Sequence, residues 1–89
     1  MRKIIYCVFN LFDLNQTINL VNLENSETTA IATTPLDTLP ETLCTLADTY
    51  KVYNIHLMGD ETYGKKVYED TLTFAQTNYS NLKLNIQFN

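Results

Sequence analysis

A near-continuous apolar run close to the start of the chain constrains the fold more than any other feature of the sequence. The run comprises Ile4, Ile5, Tyr6, Cys7, Val8 and Phe9. Runs of this kind are typical of strands that are buried on both faces near the middle of a sheet. We therefore predict a first strand over residues 2–12. Residues 52–58 form a second such run, which predicts another interior strand in parallel pairing.

Three further segments have the partly polar pattern of strands with a solvated face. Residues 17–23 alternate in part, and residues 28–33 are short and rich in Thr, which indicates a strand at a sheet edge. Turn-forming residues at 13–16 and 24–27 separate these segments, so the first three strands should form an antiparallel meander. Residues 82–89 alternate strictly between apolar and polar, which predicts a last strand toward an edge of the sheet.

Two amphipathic helices are predicted between the later strands. The first begins at Thr38, and Glu41 three residues later completes the pattern of a capping box. The second begins at Asp60 and Glu61, whose negative charges complement a helix N-terminus, and it continues to about residue 78. The resulting order of elements is β-β-β-α-β-α-β.

The apolar face of the second helix is wider than a one-sided surface helix requires. Its two margins carry Tyr63, Val67 and Phe74 on one side and Tyr68, Leu72 and Tyr79 on the other. A stripe of roughly 100° suffices to contact a sheet, so part of this face should meet something else, either the first helix or a partner subunit. Tyr is favoured at interfaces, so the tyrosines of this helix are either rim residues of the core or contacts for a partner. The predicted contact residues are Tyr63, Tyr68, Leu72 and Tyr79.

The order of elements resembles that of the ribonuclease H-like fold, which actin-like ATPase domains also use. The resemblance covers nearly the whole chain. It implies a single α/β (α+β) domain over residues 1–89, built on one mixed five-stranded sheet.

The resemblance also implies a place for a phosphate ligand. In actin-like families a hairpin after the first strand binds phosphate through an Asp and glycines, and the corresponding segment here has Asp13 and Thr17 but no glycine. The fourth strand looks like one that ends in a Gly-Gly pair near the nucleotide, here reduced to Gly59 followed by Asp60. A nucleotide- or phosphate-binding module is therefore an alternative function. A metal-dependent nuclease fits less well, since the predicted first strand carries Asn10 and no acid.

Composition and charge argue against several classes of function. Six basic residues against ten acidic ones give a formal net charge of −4, and the only basic pairs are at 2–3 and 65–66. Binding to nucleic acid is disfavoured, because it needs several cations on one face. No segment is long and apolar enough to span a membrane, and no signal-peptide pattern is visible, so we expect a cytoplasmic protein.

Nucleophilic chemistry is poorly supported by the two cysteines and the one histidine. Cys7 and Cys44 lack the paired spacing of a zinc site, so we expect both to be reduced and to lie in or beside the core. His56 falls on a predicted interior strand and could pair with Cys44, but no oxyanion-stabilising element is visible. We therefore predict no enzymatic activity, no metal and no cofactor.

These observations favour a small non-enzymatic interaction protein that self-associates, as a homodimer or larger, and binds or modulates another protein. Its contacts should involve the exposed part of the second helix and an edge strand. The frequent Asn, Ile and Tyr have AT-rich codons, which is typical of low-GC Gram-positive bacteria and their phages. We predict a phage or mobile-element protein that acts on a host protein in the bacterial cytosol.

Overall fold

Five strands and two α-helices follow one another along residues 2–89, the part of the chain that the computed structural model describes. Their order is the predicted one. The elements are β1 (Lys3–Val8), β2 (Gln16–Asn22), β3 (Thr28–Thr34), a 3₁₀ turn (Leu36–Thr38), α1 (Leu39–Tyr50), β4 (Asn54–Met58), α2 (Glu61–Asn78) and β5 (Asn85–Phe88).

All five strands join one mixed sheet with the order β3-β2-β1-β4-β5. β1 is central. It pairs antiparallel with β2, where Ile5 lies opposite Leu20, and parallel with β4, where Ile5 lies opposite Ile55. β5 adds a second parallel pair at one side, and β3 lies at the other side. The predicted fold class, a mixed five-stranded sheet with the ribonuclease H-like order of elements, is confirmed.

Both helices lie on the same face of the sheet. The crossovers from β3 to β4 and from β4 to β5 run in the same direction across the sheet, and right-handed crossovers in one direction place their helices on one side. Burial along the strands agrees with this arrangement. Ile5, Cys7 and Leu57 are buried under the helices, whereas Tyr6 and His56 on the opposite face are only half-buried. We call that opposite face the open face.

Small side chains let α2 approach both α1 and β5 closely. Cys44 of α1 is buried, and its Sγ lies 3.4 Å from the carbonyl oxygen of Thr71 in α2. A Cβ added at Gly64 would overlap the ring of Phe88 in β5. The wide apolar face of α2 therefore meets α1 as well as the sheet. The first helix is one of the two neighbours that the sequence predicted for this face.

The first strand is shorter than predicted. β1 ends at Val8 rather than at residue 12. Phe9 still donates its backbone N–H to β4 and is buried, but the chain turns at Asn10, whose N–H donates to the side chain of Gln16. The backbone at Asn10 bonds to the Gln16 side chain and not to a neighbouring strand, so the sheet does not continue. The apolar side chains that follow are therefore exposed.

The last strand is also shorter than predicted. It was expected over residues 82–89 and begins only at Asn85, which lies opposite Asn54 at the start of β4. Before that point the Leu82 backbone N–H donates to the carbonyl oxygen of Tyr79, so the chain is still leaving α2 through a turn. The ladder can begin only where β4 supplies a partner.

The acidic residues predicted at the start of the second helix are in place, and the side chain of Asp60 caps that helix. Asp60 accepts a hydrogen bond from the Tyr63 backbone N–H at 2.8 Å. The capping box predicted at Thr38 is wrong, because its hydroxyl makes no cap bond. It lies instead 2.5 Å from the Thr34 hydroxyl and 3.2 Å from the Pro35 carbonyl oxygen. The 3₁₀ turn that precedes α1 brings these three groups together.

Candidate interaction surface

The ends of the strands form two opposite borders of the sheet, which we call its edges, as distinct from the edge strands β3 and β5. The two edges differ because four of the five strands run in the same direction. β1, β3, β4 and β5 all end at one edge, which we call the carboxyl edge, and both helices begin there. The other edge, where these strands begin and both helices end, we call the amino edge. In open α/β sheets, binding sites favour the carboxyl ends of strands, where loops from separate strands meet.

A loop of residues 9–15 joins β1 to β2 at the carboxyl edge and is held by the side chain of Gln16. The Gln16 amide oxygen accepts from the Asn10 N–H at 2.7 Å. Its amide nitrogen donates to the carbonyl oxygens of Asn10 at 2.9 Å and Asp13 at 3.2 Å. Gln16 is only 2% exposed. Displacing a buried amide from three partners is costly, so these bonds fix the shape of the loop.

This loop presents large apolar side chains to solvent. Phe12 is 94% exposed and Leu14 is 85% exposed. Leu11 in the same loop, Val8 at the end of β1 and Met58 at the end of β4 are exposed at the same edge. We call these five residues the apolar tip. Exposed apolar clusters on a fixed loop are typical of surfaces that bind other proteins.

The apolar tip is not predicted by the sequence pattern. The predicted first strand over residues 2–12 placed Phe12 in a β-ladder, and Leu14 fell in a turn to which no role was given. A usable signal was present in Asn10 and Asp13, two residues that favour turns and that interrupt the apolar run on either side of Phe12.

The four residues of the predicted ligand site all lie at the carboxyl edge. Asp13 is in the loop, and Thr17 is the second residue of β2. Gly59 has a φ of 154°, and a Cβ there would lie 2.6 Å from the ring of Phe9, so the packing of that ring accounts for the glycine. The Asp60 carboxylate caps α2. The fold brings the four together, and ligand binding by them stays a prediction.

The predicted interface residues of α2 are half-buried. Tyr63, Tyr68 and Leu72 pack against the core. Tyr79 follows the helix, and its hydroxyl lies 3.3 Å from that of Thr45 in α1. These side chains keep exposed surface along the margins of α2, so a partner contact there stays a prediction.

The carboxyl edge is acidic as well as apolar. Its loops and first helical turns, residues 9–15, 35–42 and 59–64, contain no Lys or Arg. They carry half of the acidic residues of the chain, and all of these are exposed. The acidic residues are Asp13, Asp37, Glu41, Asp60 and Glu61. The apolar tip therefore shares its edge with acidic side chains, which favours a cationic partner surface.

The cysteines and the histidine are separated by the sheet. Cys7 and Cys44 are both free and buried on the helix side. Burial raises the pKa of each thiol from 9.0 to about 11, so neither forms a thiolate readily near neutral pH. His56 lies on the open face, where its ring makes an edge-to-face contact with Tyr6, with centroids 5.6 Å apart. The pairing of Cys44 with His56 that was considered from the sequence is not formed.

Residues 2–89 contain no group of three or more His, Cys, Asp or Glu side chains placed to hold a metal ion. Within the same part of the chain, every buried side-chain nitrogen or oxygen has a hydrogen-bond partner. Neither helix described there is long and apolar enough to cross a membrane.

Comparison with known proteins agrees with the fold. No protein-family model matches the chain, and no curated protein is significantly similar to it in sequence. Among solved structures, the chain is similar to Dom34 from S. cerevisiae, a translation termination-like factor involved in RNA quality control pathways and interacting with Hbs1. The TM-score is 0.63 at 12% identity, over 96% of this chain and 28% of that one.

A second solved structure, an Aquifex aeolicus member of the Ppx/GppA family, gives a TM-score of 0.43 at 12% identity. That alignment covers 98% of this chain and 35% of the other. The chain thus spans about a quarter to a third of the length of these two structures. At this identity, the likeness to Dom34 concerns the fold alone.

Proposed function

We propose that the chain is a non-enzymatic interaction module that binds another protein molecule through the apolar tip. The observation that carries the proposal is the exposure of Phe12 and Leu14 on a loop that is fixed by the buried Gln16. Covering such side chains is favourable by about 25 cal/mol per Å² of apolar surface. A fixed loop also loses little conformational freedom on binding, which favours affinity.

The chemistry of the carboxyl edge defines the kind of partner. Acidic side chains lie at the same edge as the apolar tip, so a complementary surface has an apolar pocket with basic residues nearby. In the phage or mobile-element setting that composition predicts, a host protein in the bacterial cytosol that carries such a pocket is one partner.

The state of the nucleophiles supports a non-enzymatic role. Cys7 and Cys44 are buried thiols with a raised pKa, and His56 lies on the other side of the sheet. A Cys-His nucleophilic site requires thiol and imidazole within hydrogen-bond reach. The two thiols are therefore packed in the core, and neither lies within reach of the imidazole.

Photo-crosslinking tests the proposal. A photo-reactive phenylalanine analogue replaces Phe12 in the full chain, which is illuminated in the cells that contain it. We expect a crosslinked product that holds this chain and a second polypeptide, identified by mass spectrometry. The second polypeptide is either a different protein or another copy of this chain, and both satisfy the proposal.

Two matched variants make the crosslinking result decisive. The same analogue at Gln76, on the exposed side of α2, should give no specific product. Leu14→Asp in the chain that carries the analogue at position 12 should abolish the product. Absence of any product at position 12, or an equal yield at position 76, contradicts binding through the apolar tip.

The alternative function, a nucleotide- or phosphate-binding module, makes a different prediction for its four residues, Asp13, Thr17, Gly59 and Asp60. A ligand that binds only the folded chain raises its thermal midpoint, and Asp13→Ala should remove that shift. The interaction proposal expects no shift with nucleotide, inorganic phosphate or Mg²⁺. A shift that depends on Asp13 would therefore reverse the order of the two functions.

A further inference from the structure

A groove at the amino edge is a large concave feature of the molecule. Its volume is about 820 Å³, and it lies among the start of β1, the end of α1 and the start of β4. None of its lining residues is acidic. Its cations are Arg2, Lys3 and Lys51, and its exposed large apolar side chains are Leu23, Tyr50 and Tyr53. We call these six residues the basic groove.

Two carboxylates lie beside the basic groove without lining it. Glu24 accepts a hydrogen bond from the Arg2 backbone N–H at 3.2 Å. Asp48 lies 3.9 Å from the Lys51 Nζ, in a pair whose side chains are both exposed. Exposed pairs of this kind contribute little, so Lys51 remains available to a stronger anionic partner.

We infer that the basic groove receives the apolar tip of a second copy of this chain. This inference rests on the proposed function and names the occupant. The tip carries Phe12 and Leu14 with Asp13 between them, and the groove offers aromatic and aliphatic walls with three cations and no lining acid. The two surfaces are thus complementary in apolar character and in charge.

The distribution of exposed apolar side chains supports this pairing. Every large apolar side chain that is exposed within residues 2–89 belongs either to the apolar tip or to the basic groove. Elsewhere in residues 2–89, the large apolar side chains are buried or half-buried. One contact between tip and groove would therefore cover the exposed apolar groups of both edges.

The geometry makes the assembly head-to-tail. The apolar tip and the basic groove lie at opposite edges of the same sheet, so the two halves of the contact come from different surfaces. Such an interface is heterologous, and each added copy uses one of its two surfaces and leaves the other free for the next copy. The assembly closes into a ring if the rotation between copies allows it, and otherwise extends as a filament.

Complementation between two defective variants tests the inference. Phe12→Asp disables the tip, and the double variant Lys51→Glu/Tyr53→Asp disables the groove. Lys65→Glu/Thr73→Asp on the exposed side of α2 makes the same charge change away from both surfaces and serves as the control. Sedimentation velocity gives the mass distribution over a concentration series that extends to tens of micromolar and above, and circular dichroism checks that each variant is folded.

Wild type and the control should form larger species as concentration rises. Each defective variant alone should stay monomeric, with association weakened at least about tenfold, the effect of losing one central contact. An equimolar mixture should form a heterodimer and nothing larger, because one intact tip meets one intact groove. An interface in which each surface meets its own counterpart, tip to tip or groove to groove, would not give this result.

Three outcomes overturn the inference. These are a monomeric wild type throughout the series, a folded single variant that assembles like wild type, and a mixture that stays monomeric. A failure of self-association can be distinguished from a failure of the proposed binding through the apolar tip. If position 12 still crosslinks a different protein, the tip binds another partner and only the self-association is lost.

Discussion

Among single residues, Gln16 does most to define the carboxyl edge. A polar residue at the start of a half-solvated strand suits an exposed position, yet Gln16 is buried. It is buried because its amide bonds both the N–H and the carbonyl oxygen of Asn10, just where β1 has lost its strand partner. The apolar tip is thus held in place by a polar side chain beneath it.

Replacing Gln16 by Ala should destabilise the fold by about 2 kcal/mol, because backbone groups of Asn10 and Asp13 lose a buried partner. Urea denaturation measures the change. Gln16→Glu keeps the acceptor for the Asn10 N–H but places a carboxylate against two carbonyl oxygens, so it should be at least as harmful. The matched control is Gln76→Ala on the exposed side of α2, which should change stability by less than about 0.5 kcal/mol. Equal losses at both positions would argue against the role given to Gln16.

The buried thiols predict a loss of stability in alkaline solution. Burial raises the pKa of Cys7 and of Cys44 from 9.0 to about 11, so the folded chain holds these protons more tightly than the unfolded chain. Their contribution to the free energy of unfolding is full below pH 9 and is lost progressively as pH rises through about 11. The variant Cys7→Ala/Cys44→Ala lacks this contribution.

Chemical denaturation at a series of fixed pH values checks the thiol prediction. The difference in unfolding free energy between wild type and the Cys7→Ala/Cys44→Ala variant should shrink between pH 9 and about 11. Comparing two proteins cancels the titration of Tyr and Lys, which occurs in the same range. A difference that does not change with pH contradicts the prediction.

At the scale of elements, the contact between α2 and β5 depends on one missing side chain. Gly64 lets the helix lie against the ring of Phe88. In an exposed helix, Gly→Ala stabilises by about 1 kcal/mol. Here we expect Gly64→Ala to destabilise by about 1–3 kcal/mol, because the new methyl group must displace the ring or the helix.

A double-mutant cycle tests this contact by thermal or urea unfolding. Phe88→Ala removes the ring that the methyl group would strike, so the double variant should be clearly more stable than the sum of the single effects predicts. Thr73→Ala, on the exposed side of α2, is the control for helix propensity. Additive effects of the two changes on the free energy of unfolding would show that overlap with the Phe88 ring is not the cause of the loss in Gly64→Ala.

The type and order of the elements could be predicted from the sequence, because each depends on a local pattern. The apolar runs predict that β1 and β4 are interior strands. The small residues of α2 predict a close approach to the sheet, and Gly64, Thr71 and Ala75 are all buried as that prediction requires. Element ends could not be predicted so well. They depend on partners that local patterns do not contain, such as the Thr34 hydroxyl that competes for Thr38.

At the scale of the whole molecule, the distribution of charge could not be predicted although the net charge could. Arg2 and Lys3 are far from Lys51 in sequence, and the fold brings them to one groove because β1 begins where α1 ends. The apolar tip escaped prediction for a related reason. Leu11 and Phe12 look like the continuation of β1 until Gln16 is known to lie beneath them.

Self-association between the two edges should depend on salt. The Debye length falls from about 30 Å at 0.01 M to about 3 Å at 1 M ionic strength, so the attraction between an acidic edge and a basic groove is screened. We expect the association of wild type to weaken several-fold over this range, as measured by sedimentation velocity with sodium chloride. Association that strengthens with sodium chloride would indicate an apolar contact without the charge complementarity.

The position of Gln16 at the base of the loop has an evolutionary consequence. Gln16, whose side chain holds the loop, is buried, and the exposed residues 11, 12 and 14 at the crest of the loop lie outside the core, so these three can be exchanged without endangering folding. A lineage that carries this chain can therefore retarget it one crest residue at a time. The same separation recommends the loop as a grafting position, where foreign peptide sequences could be displayed on an otherwise unchanged scaffold.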